Sequence, residues 1–191
     1  MKKNEYFKRQ EMNIFTNLRL LRKRPNATPL YTEIVRQARQ PDFYNKLGVP
    51  DTYNGRFDLI ALHAFIIMRR LKSIGKNGET LSQALFDCMF IDIDKNLREM
   101  GVGDLSVGKK IKNLAAAYYG RVKAYEDALL ETNEFLEAAF KRNIYLDSRP
   151  SSKQLNTFVN YFREQIKESE SWSLDKISEV DFVFIPPPNI K

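Results

Sequence analysis

The sequence predicts an all-α fold: a single bundle-like domain of about six to seven helices around a central apolar helix, with a C-terminal extended tail. Three observations carry this. The run Phe57–Leu71 (FDLIALHAFIIMRRL) is apolar on nearly every face, and between Leu59 and Met68 only His63 is strongly polar. A surface helix shows a single apolar stripe, so this one belongs in the middle of the domain. Its uncharged part is about ten residues, short of the roughly 20 that a membrane span requires. Secondly, Val107, Ile111, Leu114, Tyr118, Val122, Tyr125 and Leu129 recur at steps of three and four, the period of an amphipathic helix. Thirdly, Val180–Ile185 is a short apolar run with no second strand to pair with, so it is expected to lie on the helices as a tail.

Composition sets the bounds. A chain of 191 residues, 43% hydrophobic and 29% charged, suits one compact domain with a real core. The net charge of +7 is uneven. The first 24 residues hold eight basic residues against Glu5 and Glu11, and the remainder is close to neutral. The basicity therefore belongs to an N-terminal arm, residues 1–29, and the helical domain spans 30–191. A domain-wide nucleic-acid footprint is not supported, and no specific nucleic acid is expected as a partner. Cys88 is alone, which fits a reducing compartment and excludes an intrachain disulfide.

In the arm, Ile14, Phe15 and Leu18 can share one helix face, with Arg19, Arg22, Lys23 and Arg24 beside or after it. A basic amphipathic segment of this kind can lie on an anionic membrane surface. The plainer reading is a solvated terminus. Met12 is a candidate start, because the residues before it are polar and patternless.

The first helix is expected to open at Thr28-Pro29, with Thr28 as N-cap, and to end at Pro41. Asp42–Gly55 reads as a loop whose Phe43, Tyr44, Leu47, Val49 and Tyr53 pack it onto the domain in a fixed shape. After the central helix, Ser73–Glu79 reads as a turn, and Thr80 with Gln83 as a capping box. Leu81, Leu85 and Cys88 lie on one face of the next segment, and Phe86, Phe90, Ile93, Leu97 and Met100 on another. One wide-faced helix and two short ones both fit. Ser106 is the expected cap of the longest helix. Further helices start at Asn133 and after Pro150, and Ser173–Ile177 adds a turn.

No residue set announces catalysis. His63 has no charged neighbour at helical spacing, so a hydrogen-bonded core histidine is the favoured reading. Cys88 lies between Phe86, Asp87, Met89 and Phe90 and reads as a buried, inert thiol. Asp87, Asp92 and Asp94 resemble a carboxylate cluster. With no histidine beside them, capping and pairing with Lys95 or Arg98 explain them better than a metal does. Gly101–Lys110 (GVGDLSVGKK) lacks the order of a phosphate-binding loop and follows a helix instead of a strand. No metal and no cofactor are expected.

Tyr31–Phe43 (YTEIVRQARQPDF), Leu47–Leu62 (LGVPDTYNGRFDLIAL), Gln83–Val107 (QALFDCMFIDIDKNLREMGVGDLSV) and Lys109–Tyr125 together resemble the ubiquinol–cytochrome c chaperone family. The resemblance is strongest from Leu30 to Arg121. It implies a non-enzymatic assembly chaperone that binds newly made cytochrome b and supports assembly of the bc1 complex. It also implies a position peripheral to the inner membrane. The ribosome and a small assembly protein are partners of mitochondrial members. The family-like region begins almost at once here, as expected of a bacterial, cytoplasmic member. The matched polar positions Arg56, Asp58, Asp87, Asp94, Arg98, Asp104 and Lys109 are candidates for a client- or partner-facing surface. Their intramolecular alternative is a network that pins the loops, and it is favoured for Asp58 and Asp87. The rival class is a ribosome- or RNA-associated helical adaptor tethered by the basic arm.

Overall fold

The computed structural model describes residues 25–146 and 148–190. Its elements are α1 (Thr28–Ala38), α2 (Pro41–Asn45), α3 (Tyr53–Ile74), α4 (Lys76–Glu99), α5 (Asp104–Leu129), α6 (Asn133–Phe140), α7 (Ser152–Ser169) and α8 (Leu174–Glu179). A π-helical turn, Lys141–Tyr145, continues α6. No strand occurs among the described residues. The arm residues Ile14, Phe15, Leu18, Arg19, Arg22, Lys23 and Arg24 lie outside them.

The central helix is α3. It touches α1, α4, α5, α7, α8 and the π turn. Phe57, Leu59, Leu62, Phe65, Ile66, Ile67 and Leu71 are all buried along it. Phe65 meets Tyr125 of α5 and Phe162 of α7 at ring-centroid distances of 5.6 and 6.0 Å. Aromatic contacts of this kind add to area burial, and they join three helices at one level. No helix among the described residues is long and apolar enough to cross a membrane.

Several helix ends differ from the sequence expectation. Ala27, not Thr28, occupies the N-cap of α1, and Thr28 and Pro29 form its first turn. The expected turn over Ser73–Glu79 shrinks to Gly75, which takes φ +97° and reverses the chain alone. Thr80 consequently sits inside α4, where its hydroxyl donates to the Lys76 carbonyl at 3.1 Å and caps nothing. Gly78 allows the tight return: a Cβ there would stand 2.0 Å from the Leu71 carbonyl oxygen. Ser106 does not cap α5, which starts at Asp104 behind Gly103. Asp104 in that first turn suits the positive end of the helix.

The helix α4 is unbroken, so its two apolar faces belong to one wide-faced rod. It packs on α1, α3, α5 and α8. The segment 42–55 holds α2 and the first turn of α3. Phe43, Leu47 and Val49 are buried as expected, but Tyr53 is exposed. Thr52 caps α3 by accepting from the Gly55 amide at 3.1 Å.

Ser151 and Gln154 form a reciprocal capping box on α7. The same Gln154 donates through Nε2 to the Lys46 carbonyl at 3.0 Å. The tail after α8 has no regular structure and runs across the helices. Phe182 packs on Trp172 at 4.4 Å, and Phe184 meets the His63 ring at 5.3 Å. Gln165 accepts from the Ile185 amide at 2.8 Å and Gln37 donates to its carbonyl at 2.8 Å.

Candidate functional site

Arg98 near the end of α4 holds Asp94 through Nε at 2.7 Å and Asp104 of α5 through Nη1. One guanidinium thus ties both sides of the Met100–Gly103 turn, as its rigid fork of donors permits. Gly101 in that turn takes φ +81°. Arg56 donates to Asp51 at 2.7 Å and pins the loop ahead of α3. That hydrogen bond holds the Asp51 carboxyl below its usual range. Asp87 is half-buried and accepts from Gln83 at 2.8 Å. Lys109 is exposed and makes no ion pair among the described residues.

Asp58 is fully buried on α3, and Nη2 of Arg121 on α5 lies 2.6 Å from its Oδ1. The approach is off the hydrogen-bonding line, so neither carboxylate oxygen has an aligned donor. Burial raises the Asp58 pKa to about 7 against the opposing pull of Arg121. Arg121 also stands 5.5 Å from the Phe57 ring centre, within cation–π range. Sequence reasoning missed Arg121. Its signal was there: with Leu114, Tyr118 and Tyr125 it repeats at steps of four, three and four, so a cation sits on an inward seam.

His63 is a core residue. Its Nδ1 lies 2.7 Å from the Leu59 carbonyl, which can only accept. Nδ1 therefore carries the proton, and Nε2 accepts from the Tyr161 hydroxyl at 2.9 Å. That hydroxyl in turn accepts from Gln37 at 3.0 Å. Burial lowers the His63 pKa to about 4, which keeps the ring neutral. Cys88 is half-buried, and burial raises its pKa, the opposite of a reactive thiol. Asp92 accepts from the Tyr31 hydroxyl at 2.8 Å. No metal-binding group of His, Cys, Asp or Glu side chains gathers among the described residues.

Two recesses flank α4. The first lies between α3, α4 and α5. Phe65, Phe86, Tyr118, Tyr119, Met68 and Val122 line it, and Arg69, Lys72 and Glu126 stand at its rim. It holds about 60 Å³, room for the end of one apolar side chain and far less than a drug-sized ligand fills. Arg69 carries a buried Nε without a hydrogen-bond partner. The second recess lies between α1 and α4, is wider at about 450 Å³, and is lined by Val35, Ile91, Cys88, Arg39 and Lys95 among others. Both are open; Arg39, Cys88, Asp92 and Lys95 line the second, where Asp92 already accepts from Tyr31.

The arrangement matches known proteins. The family model described as "Ubiquinol-cytochrome C chaperone" matches residues 45–184. A solved structure, the Cbp3 homolog from Brucella abortus, superposes with a TM-score of 0.73 at 34% identity, covering 82% of this chain and 86% of that one. The ubiquinol-cytochrome-c reductase complex assembly factor 1 of Xenopus laevis is 23% identical over 74% of this chain and 70% of its own length. Its mouse counterpart is 26% identical over 76% of this chain, and the match spans 49% of that protein's length. The chain belongs to the ubiquinol–cytochrome c chaperone family.

Proposed function

We propose that this chain is a non-enzymatic assembly chaperone that binds newly made cytochrome b and supports assembly of the bc1 complex. The observation that carries the reading is the family match over residues 45–184, with relatives named as reductase assembly factors. The geometry is compatible with it. Cytochrome b would be an apolar helical client, and a holder for it needs apolar recesses with a polar rim, not a reaction centre. The recess at Phe86, Tyr118 and Tyr119 offers one such anchor point, in the manner of pockets that take a single buried side chain.

In this reading the basic arm, residues 1–29, is the tether to an anionic membrane, placing the protein at the inner membrane. Its last two residues already belong to α1. Of the seven polar candidates, Lys109 is the one left facing outward without an ion pair among the described residues. The contacts of Arg56, Asp58, Asp94, Arg98 and Asp104 favour pinning roles. The test is a photo-cross-linking residue at Lys72, on the recess rim, in cells making bc1 complex. Cross-linking to cytochrome b supports the reading. Its absence, with equal expression of the modified chain, counts against this surface as the client site.

A further inference from the structure

The α4–α5 turn and the outer side of the first half of α5 stay exposed among the described residues. Leu105 is 100% exposed and Met100 60% exposed, the two sides of a turn that contains Gly101 and Gly103. An isolated exposed apolar residue needs no explanation, but two large ones at a protruding tip leave an apolar point facing water. The helix behind the tip is basic. Between Leu105 and Tyr125 there is no acidic residue, while Lys109, Lys110, Lys112, Arg121 and Lys123 all fall there. Arg121 turns inward to Asp58 and Lys123 pairs with Asp127. Lys109, Lys110 and Lys112 are exposed and make no ion pair among the described residues.

Helical spacing puts Leu105, Gly108, Lys109, Lys112 and Ala116 on one face, and all five are exposed. A Cβ on Gly108 would meet nothing within 4 Å, so the helix surface between Leu105 and Lys112 is open at that position. The nearby acids are largely spoken for: Asp94 and Asp104 bind Arg98, and Glu99 faces Lys95. Lys109 and Lys112 share the face of Leu105 and Lys110 flanks it, so the charge behind the apolar tip is unbalanced.

We propose that this surface contacts an anionic lipid bilayer, with Leu105 and Met100 entering the headgroup boundary and Lys109, Lys110 and Lys112 lying over the lipid phosphates. Apolar insertion flanked by basic side chains is the chemistry of interfacial binding. An acidic protein would satisfy the lysines and leave the protruding apolar tip unexplained. The contact is separate from the arm. The Tyr119 recess lies about 20 Å along α5 from Leu105.

The experiment uses the full chain with phosphatidylcholine vesicles, with and without phosphatidylglycerol. Leu105→Trp adds an exposed reporter beside the buried Trp172. The expected result is a blue shift of the new emission, with quenching by brominated lipid, only when phosphatidylglycerol is present. Lys109→Ser/Lys110→Ser/Lys112→Ser should weaken binding by about fivefold per lysine removed. Three results would overturn the proposal. One is a vesicle-bound protein whose residue 105 stays open to iodide, which would assign binding to the arm alone. Another is no binding to either vesicle. The last is a blue shift that grows with protein concentration without lipid, which would make the tip a contact between copies.

Discussion

Nη2 of Arg121 lies 2.6 Å from Oδ1 of Asp58, inside a contact where the carboxyl has no exposure at all. The pair joins α3 to α5 across the core. The two members differ in how they tolerate loss of the other. A carboxyl can take a proton and become neutral, whereas a guanidinium in a protein keeps its charge. Asp58→Ala strands a cation and should cost about 3–5 kcal/mol. Arg121→Ala should cost less, because the acid neutralises itself. Urea unfolding of the two variants at neutral pH checks the order.

The same acid has an opposite number in pH dependence. Asp58 has a folded pKa of about 7, above the unfolded carboxylate range. The folded state therefore binds the extra proton between about pH 4 and 7, and this group's stabilisation is lost as pH rises through that window. His63 has a folded pKa of about 4, below its unfolded value. The unfolded state binds that proton, so stability is lost as pH falls from about 6.5 towards 4. The two slopes oppose each other in the wild type. Asp58→Asn should make the protein lose more stability on acidification than the wild type does, and His63→Gln should make it lose less. Each difference is bounded by about 1.4 kcal/mol per pH unit. Denaturation midpoints across that range measure both.

Tyr161 is the middle link of a buried chain from His63 to Gln37. Tyr161→Phe leaves the His63 Nε2 without a donor, a loss of about 1–3 kcal/mol. The tail's tie through Gln37 to Ile185 is expected to survive. Unfolding of the variant, together with unchanged protease resistance of residues 181–190, would agree with this.

Glycine positions give a paired comparison. A Cβ at Gly78 would stand 2.0 Å from a backbone oxygen, and at Gly108 it would meet open space. Gly78→Ala should force α3 and α4 apart and cost at least the 1–3 kcal/mol or so typical of overpacking. Gly108→Ala should stabilise by about 0.5–1 kcal/mol through helix propensity. Thermal melts of the two variants should move in opposite directions.

Long-range order was legible where hydrophobic period was long. The uncharged run of α3 announced a buried helix, and the seven-residue seam of α5 announced its length and inner face. Helix ends were less legible. Thr80 and Ser106 look like caps, but one glycine at φ +97° did the work of a whole turn before α4, and Gly103 preceded α5. Cap preference acts locally, and the close return of α4 on Leu71 overrides it. The Asp58–Arg121 pair was half visible. Asp58 was named, but its partner lies 63 positions later, and spacing alone does not show which part of α3 the inward seam of α5 meets. The recesses beside α4 depend on how three helices pack, which no single segment encodes.

The central claim is that this chain serves assembly of the bc1 complex through its hold on cytochrome b. The direct measurement is the steady-state level of cytochrome b, with ubiquinol–cytochrome c reductase activity, in a strain from which this chain has been deleted. The account predicts that both fall and that the intact chain restores them. Normal cytochrome b and normal reductase activity in the deletion strain would contradict it.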